Sequence, residues 1–240
     1  MLVSHRKRFV YTKTVKTAGT SVESFFEPHC MADGEWQRTH ARPEYVSESG
    51  IIGYRGNDAR GARWWNHMPA ARIREQLGRD AWDSYFKFCV VRNPYEKLVS
   101  GFEMFEKRKT GLSAAQKARI GLKRLLGRGD PIHSVQGSGP VQRFRSWIRL
   151  GGWIDDRDKY LIDGVECMDF YIRHEALLEG LRDVCERIGV EFDPSRLPSF
   201  KRADELARLP IAEYFDSATV AIVQERYRFE IERFGYRLPA

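Results

Sequence analysis

Apolar and polar positions follow two different periods along residues 9–26. The first four residues, FVYT, are β-branched or aromatic, which is typical of a strand. A polar stretch, KTVKTAGTS, follows over residues 13–21. Val22, Phe25 and Phe26 then recur at helical spacing. The pattern therefore predicts a strand, a tight loop and a helix in this order.

A second segment repeats this arrangement. Residues 85–91, YFKFCVV, form a nearly continuous apolar run, which is typical of a strand buried on both faces of a parallel sheet. Arg92-Asn93 ends the run, and Pro94 suits the first turn of a helix. Two such units predict an α/β fold with a central parallel sheet flanked by helices, in which both loops face one crevice.

The remaining elements are shorter. The length of 240 residues and the 42% hydrophobic content fit a single domain spanning residues 1–240. Within it, residues 110–140 suggest an inserted basic helix and a mobile Gly/Ser loop. Further strands are expected around residues 51–52 and over 168–172, and further helices over 70–77, 141–150, 177–188 and 212–234.

The net charge of +7 indicates an anionic partner, such as a nucleotide, an acidic glycan or an anionic lipid. No aromatic-basic motif for nucleic acid is present, so nucleic acid is not expected. The four cysteines lack metal-ligand spacing, and no signal peptide or membrane span is evident, which predicts a reduced, cytoplasmic protein without a structural metal. The basic amphipathic segment 110–130 is either a solvated surface helix or a docking face for an acidic acceptor or an anionic membrane.

The polar loop over residues 13–21 has the composition of an anion-binding turn. Its backbone N–H groups and the following helix N-terminus favour a phosphate-like group, Lys16 adds a full charge, and Thr17, Thr20 and Ser21 add hydroxyls. The loop is not a standard P-loop, because Lys16 precedes Gly19 instead of following it. Taken alone, the loop could equally be a plain helix cap after an edge strand.

The second loop offers another anion site. Arg92 ends its strand, and Ser100 lies two turns into the next helix. A guanidinium binds phosphate through two parallel hydrogen bonds, and a serine hydroxyl can add a third. Two separate anion sites on one sheet suit a nucleotide that is phosphorylated at two places.

These motifs resemble those of sulfotransferases that use 3′-phosphoadenosine 5′-phosphosulfate (PAPS). Within them, the chain is similar to the carbohydrate group that includes heparan and dermatan 2-O-sulfotransferases and bacterial members. Residues 15–21 (VKTAGTS) match its 5′-phosphosulfate loop, and residues 88–100 (FCVVRNPYEKLVS) match its 3′-phosphate motif. Residues 169–175 and 214–236 are similar to later family segments, whereas 38–63 and 110–140 match little.

The resemblance implies a P-loop-like sulfotransferase fold. It also implies an enzyme that moves a sulfuryl group from PAPS to a hydroxyl of a carbohydrate or glycolipid acceptor, with PAP as product and no metal. The acceptor is expected to be anionic. Lys16 would neutralise charge on the departing phosphate oxygen. Lys201 and Arg202 would lie near the nucleotide, with a solvated surface pair as the alternative. The nucleotide-binding residues are then Lys16, Thr17, Ala18, Gly19, Thr20, Ser21, Arg92, Ser100, Lys201 and Arg202.

A base must accept the proton of the acceptor hydroxyl. His67 is the candidate, since imidazole titrates near neutral pH and related 2-O-sulfotransferases use a histidine ahead of the arginine strand. His174 and Glu23 are the alternatives. Trp64 and Trp65 either stack on a sugar face beside His67 or pack into the core.

Two other functions fit parts of the sequence. A P-loop-like nucleotide kinase would also bind phosphates, but the displaced Lys16 and the lack of an acidic metal ligand do not favour it. A non-catalytic module that binds acidic glycan or nucleic acid would use the net charge and residues 110–130 alone.

Overall fold

The computed structural model describes residues 1–56, 58–110, 113, 131–198 and 209–239. The chain divides into two compact units, one formed by Met1–Arg92 with Asp155–Arg202 and the other by Asn93–Ile154 with Ala203–Ala240. The single-domain organisation stays a prediction. Most of the predicted basic helix over 110–130, and both Lys201 and Arg202, lie outside the described residues.

The first unit contains a six-stranded mixed sheet with the order β3-β4-β1-β2-β5-β8. Strands β2, β5 and β8 are parallel, whereas β1 pairs antiparallel with β2 and β4, and β3 with β4. The prediction of an α/β fold is confirmed, with the parallel strands forming only the core of the sheet. The strands are β1 (Leu2–Ser4), β2 (Phe9–Thr12), β3 (Tyr45–Ser47), β4 (Gly50–Ile52), β5 (Phe86–Val91), β6 (Leu161–Ile162), β7 (Val165–Glu166) and β8 (Phe170–Arg173).

Strand β2 is buried along its whole length because apolar side chains cover both of its faces. On one face, Phe9 and Tyr11 pack with Phe88 of β5. On the other face, Val10 belongs to a second cluster that includes Trp64. Burial on both faces explains why the sequence shows no alternation here.

The helices agree with most of the predicted boundaries. The short helix after Pro69 ends at Gly78, whose φ of 89° is in the region that favours glycine. Pro94 starts the helix after β5, as predicted. The helices are α1 (Gly19–Phe26), α2 (Ala70–Leu77), α3 (Arg79–Ser84), α4 (Pro94–Thr110), α5 (Pro140–Arg149), α6 (Leu177–Ile188), α7 (Ser217–Arg226) and α8 (Arg228–Phe234).

The second unit has its own aromatic core, in which Phe102 of α4 packs against Phe144 and Trp147 of α5. The prediction of one continuous helix over residues 212–234 is wrong. The Asp216 carboxylate accepts the Thr219 N–H at 2.9 Å and starts α7 as a new helix. A second break at Tyr227 separates α7 from α8.

Candidate active site

The loop between β2 and α1 turns through two left-handed residues, Lys16 with φ 61° and Ala18 with φ 57°. Left-handed residues in such a turn direct successive backbone N–H groups to one side and form an anion-binding concavity. Within the described part of the chain, the N–H groups of residues 17–20 have no protein acceptor. These N–H groups lie at the start of α1, where the helix dipole also favours an anion.

Buried hydroxyls fix the shape of this loop. Thr14 donates to the Val90 carbonyl oxygen of β5, so the hydroxyl of Thr17, 2.8 Å from Thr14 Oγ1, acts as the donor in their contact. The hydroxyl proton of Thr17 is therefore used inside the loop, and Thr17 can serve an anion only through its backbone N–H. The Val15 N–H donates to Asp156 Oδ2 at 2.8 Å, which anchors the outer side of the turn.

One residue from each predicted nucleotide motif, Lys16 and Arg92, lies in contact within the first unit. Arg92 stands at the end of β5, next to β2 in the sheet, and is 9% exposed. Its Nη1 donates to the Lys16 carbonyl oxygen at 3.2 Å. A guanidinium and the N–H groups of the first loop are thus held in one part of the molecule. Ser100 lies on α4 in the second unit and is 6% exposed.

His67 lies next to the same loop, in the segment before α2. Its Nδ1 lies 3.0 Å from the carbonyl oxygen of Lys13. A carbonyl oxygen only accepts, so Nδ1 carries the proton and Nε2 keeps its lone pair. Burial and the nearby Lys13 ammonium lower the pKa of His67 to about 4, which keeps the imidazole neutral at pH 7.

The two alternative bases differ in their surroundings. His174 follows β8 directly, and burial together with the Arg92 charge lowers its pKa to about 4. Glu23 of α1 is fully buried and accepts from Lys13 Nζ at 2.6 Å and Arg55 Nη1 at 2.8 Å. Burial alone would raise the pKa of Glu23, but the neighbouring cations hold it well below its usual range. Both oxygens of Glu23 already accept hydrogen bonds from buried cations, so this carboxylate is not placed to accept a proton from an acceptor hydroxyl.

The two tryptophans have different roles in packing. Trp64 is 2% exposed and belongs to the core, in agreement with the packing alternative. Trp65, two residues before His67 in the sequence, is half-buried. It lines an open depression of about 430 Å³. The other residues that line this depression are Asp58, Ala59, Arg60 and Ala62.

Sequence reasoning missed Lys13 and Asp156, which both support the loop. Lys13 is 3% exposed, yet a lysine between two threonines has no pattern that predicts a buried ion pair. Asp156 lies far along the chain, within a charged stretch that resembles any surface turn. Only the fold brings these two side chains to the loop.

The described residues contain no group of three or more His, Cys, Asp or Glu side chains that could hold a metal ion. Over the same residues, no helix is long and apolar enough to cross a membrane.

An α/β unit with anion-binding loops after adjacent parallel strands is typical of an enzyme that binds a nucleotide at the carboxyl edge of its sheet. The chain belongs to the Sulfotransferase family, whose model matches residues 1–237. It is therefore a sulfotransferase, and the family implies transfer of a sulfuryl group from PAPS to an acceptor. No curated protein and no solved structure shows a significant match to the chain. The resemblance to sulfotransferases is confirmed at the level of the family, whereas the carbohydrate 2-O-sulfotransferase group is not confirmed.

Proposed function

We propose that this enzyme transfers a sulfuryl group from PAPS to a hydroxyl of an anionic carbohydrate or glycolipid. The observation that carries the donor side is the hydrogen bond from Arg92 to the Lys16 carbonyl oxygen, which links two separate anion-binding motifs. The residues present fit a doubly phosphorylated nucleotide, since they combine two cationic side chains with a turn of N–H groups for which the described residues provide no acceptor. PAPS supplies the sulfuryl group. The bond from the acceptor oxygen to sulfur forms in line with the breaking bond between sulfur and a phosphate oxygen of the donor.

The first loop holds the 5′ end of the donor. The N–H groups of residues 17–20 and the Thr20 and Ser21 hydroxyls bind phosphate oxygens, and the Lys16 ammonium neutralises the charge that develops as the sulfuryl group departs. Positioning and charge stabilisation do most of the catalysis when the transition state is loose, as in phosphoryl transfer. In the first unit, Arg92 binds the 3′-phosphate. Binding of the nucleotide by Ser100, Lys201 and Arg202 stays a prediction from the resemblance.

His67 acts as the base. Its Nδ1–H is fixed by the Lys13 carbonyl oxygen, which leaves the Nε2 lone pair to accept the proton of the acceptor hydroxyl. The imidazole need not lose a proton first, because it is neutral at pH 7.

The acceptor binds at the open depression lined by Trp65, which precedes His67 by two residues in the sequence. The ring of Trp65 lines that depression and suits a sugar face. Arg60 also lines it, with its guanidinium paired to Asp58. The net charge of +7 also favours an anionic acceptor. A peripheral contact of residues 110–130 with an anionic membrane and a cytoplasmic location both stay predictions.

Binding of PAP, the desulfated product, tests the donor site without knowledge of the acceptor. PAP should raise the midpoint of thermal unfolding, because a ligand that binds only the folded state stabilises it. Lys16→Ala and Arg92→Ala should each abolish that rise. The exposed Arg72 of α2 is a suitable control, since Arg72→Ala removes one cation outside the loops and should leave the rise unchanged.

Transfer itself is tested with labelled PAPS and a panel of glycans and glycolipids. A folded protein with neither a PAP-dependent shift nor transfer to any acceptor would contradict the proposal. Turnover of ATP that requires Mg²⁺ would favour the kinase alternative. Salt-sensitive glycan binding without nucleotide binding would favour the non-catalytic module.

A further inference from the structure

Lys13 is a buried cation placed between the two halves of the proposed transfer site. It follows β2 directly, is 3% exposed and lies in the loop that precedes α1. Its ammonium donates to Thr20 and Glu23. Its carbonyl oxygen accepts from His67. The proposed mechanism gives the Lys13 side chain no role.

The ammonium of Lys13 acts on the donor side. It donates to Glu23 Oε2 at 2.6 Å and to Thr20 Oγ1 at 3.2 Å. Because the Thr20 oxygen accepts from Lys13, its own O–H proton is directed elsewhere, and the described residues provide no acceptor for it. A hydroxyl held in this way is prepared to donate to an anion at the start of α1.

The carbonyl oxygen of Lys13 acts on the acceptor side. It accepts the Nδ1–H of His67 at 3.0 Å and so selects the tautomer whose lone pair is on Nε2. The charged groups that influence His67 are the Lys13 ammonium, the Met1 amino group and the Glu23 carboxylate. The two cations lower the pKa of His67, and Glu23 opposes them.

The packing around Gly19 shows that the path of the Lys13 side chain is built into the loop. A Cβ placed on Gly19 would lie 2.7 Å from Lys13 Cε and 2.8 Å from Lys13 Cγ. Any other residue at this position would therefore displace the lysine stem. Glu23 holds the far end of the same side chain, so the stem is fixed at both ends.

We propose that Lys13 is a positioning residue that couples the two sides of the transfer site, orienting the Thr20 hydroxyl toward the donor's 5′-phosphate and holding His67 with Nε2 as the proton acceptor. This inference rests on the proposed function, because it assumes that the loop binds PAPS and that His67 is the base. Lys13 itself touches neither substrate in this scheme.

A double-mutant cycle on PAP affinity tests the donor side. Lys13→Met and Thr20→Val should each weaken PAP binding about tenfold, the effect expected for a lost charge-assisted hydrogen bond. Because both changes remove the same interaction, the double variant should be no weaker than either single variant. Additive losses would mean that Lys13 does not act through Thr20, and unchanged affinity in Lys13→Met would overturn the donor side altogether.

Nitrogen-15 spectra of the histidine rings test the acceptor side without any acceptor, with His67→Asn used to assign the signal. The wild-type protein should show His67 protonated on Nδ1 near pH 7. Lys13→Met should keep that tautomer but shift the titration of His67 upward, because a nearby cation is removed. Protonation on Nε2 in the wild type, or no upward shift in Lys13→Met, would overturn this part.

Controls separate this role from a purely structural one. Lys87 is another buried lysine of the first unit and pairs with Asp169 at 2.9 Å, so Lys87→Met should lower stability but change neither PAP affinity nor the His67 titration. If Lys13→Met does not fold, Lys13→Gln takes its place, because it removes the charge and leaves Glu23 paired with Arg55 and the Met1 amino group. Failure of the wild type to bind PAP counts against the proposed function, whereas normal wild-type binding with unaffected Lys13 variants counts against this inference alone.

Discussion

At the scale of single residues, the proposed proton transfer depends on the protonation state of the His67 imidazole. His67 is half-buried, donates from Nδ1 to a carbonyl oxygen and has a pKa lowered to about 4. A base works in its unprotonated form, so the transfer rate should be constant around neutral pH and fall as the pH drops through about 4. Initial rates over pH 3.5–8, taken where circular dichroism shows folded protein, would check this.

Replacement of His67 by alanine should lower kcat about 10²- to 10⁴-fold, the usual contribution of a general base, and leave PAP affinity nearly unchanged. His174→Ala is the matched comparison, because the pKa of His174 is also lowered to about 4 but its ring lies beside Arg92 instead of the Lys13 carbonyl. Turnover of wild-type size in His67→Ala would remove His67 as the base. A selective loss in His174→Ala would give the role to that residue.

At this scale the sequence predicts residue types better than residue environments. Lys16 and Arg92 are predicted from loops that follow two strands, and His67 from the resemblance to 2-O-sulfotransferases together with imidazole chemistry; the roles of all three stay predictions. The use of the Thr17 hydroxyl inside its own loop does not follow, because it depends on Val90 of a different strand. The buried state of Lys13 likewise depends on Glu23 and on contacts that spacing alone does not describe.

At the scale of single elements, the turn into α1 places two neighbouring residues under different constraints, one on side-chain space and one on the backbone φ angle. Gly19 needs its missing side chain for space, whereas Ala18 sits at φ 57°, where a glycine would be less strained. Gly19→Ala should therefore lower the free energy of unfolding by about 1–3 kcal/mol, as other overpacked sites do. Ala18→Gly should change it by less than about 1 kcal/mol in either direction.

Urea unfolding of these two variants, with PAP titrations beside it, measures the difference. Gly19→Ala should also weaken PAP binding, because it displaces the Lys13 stem and with it the ammonium near Thr20. Equal stability of the two variants would show that the close approach to Lys13 does not constrain the turn.

Elements differ in how far the sequence predicts them. The continuous apolar run of β5 and the proline starts of α2 and α4 are strong local signals, and the structure follows them. The C-terminal segment is not one continuous helix, because Asp216 caps the N-terminus of α7. The helical spacing of apolar residues over 212–234 does not reveal this break. Strand β1 is only three residues long, and its pairing with β2 and β4 is what defines it.

At the scale of the whole molecule, buried ionisable groups determine how the protein responds to acid. The first unit buries Glu23 and Glu27 of the α1 region with Lys13, Arg42 and Arg55 as their partners. Breaking one member of such a network leaves an uncompensated buried charge, which is costly. Stability should therefore be sensitive to protonation as well as to mutation.

Three histidines make the acid response specific, because burial lowers the pKa values of His29, His67 and His174 to about 4 in the folded protein. Their ordinary value is near 6.5, so the unfolded chain binds more protons between these two values. Stability contributed by the neutral rings is then fully present above about pH 6.5 and is lost as the pH falls toward 4. At pH 5 we expect a loss of stability on the order of 1–2 kcal/mol for each histidine.

Urea midpoints at pH 7.5 and 5 would measure this loss. His29 lies outside the proposed site, and His29→Gln should make the pH dependence of stability flatter. An unchanged midpoint between these pH values would contradict the burial of all three rings, whereas a loss that persists undiminished in His29→Gln would assign it to other groups.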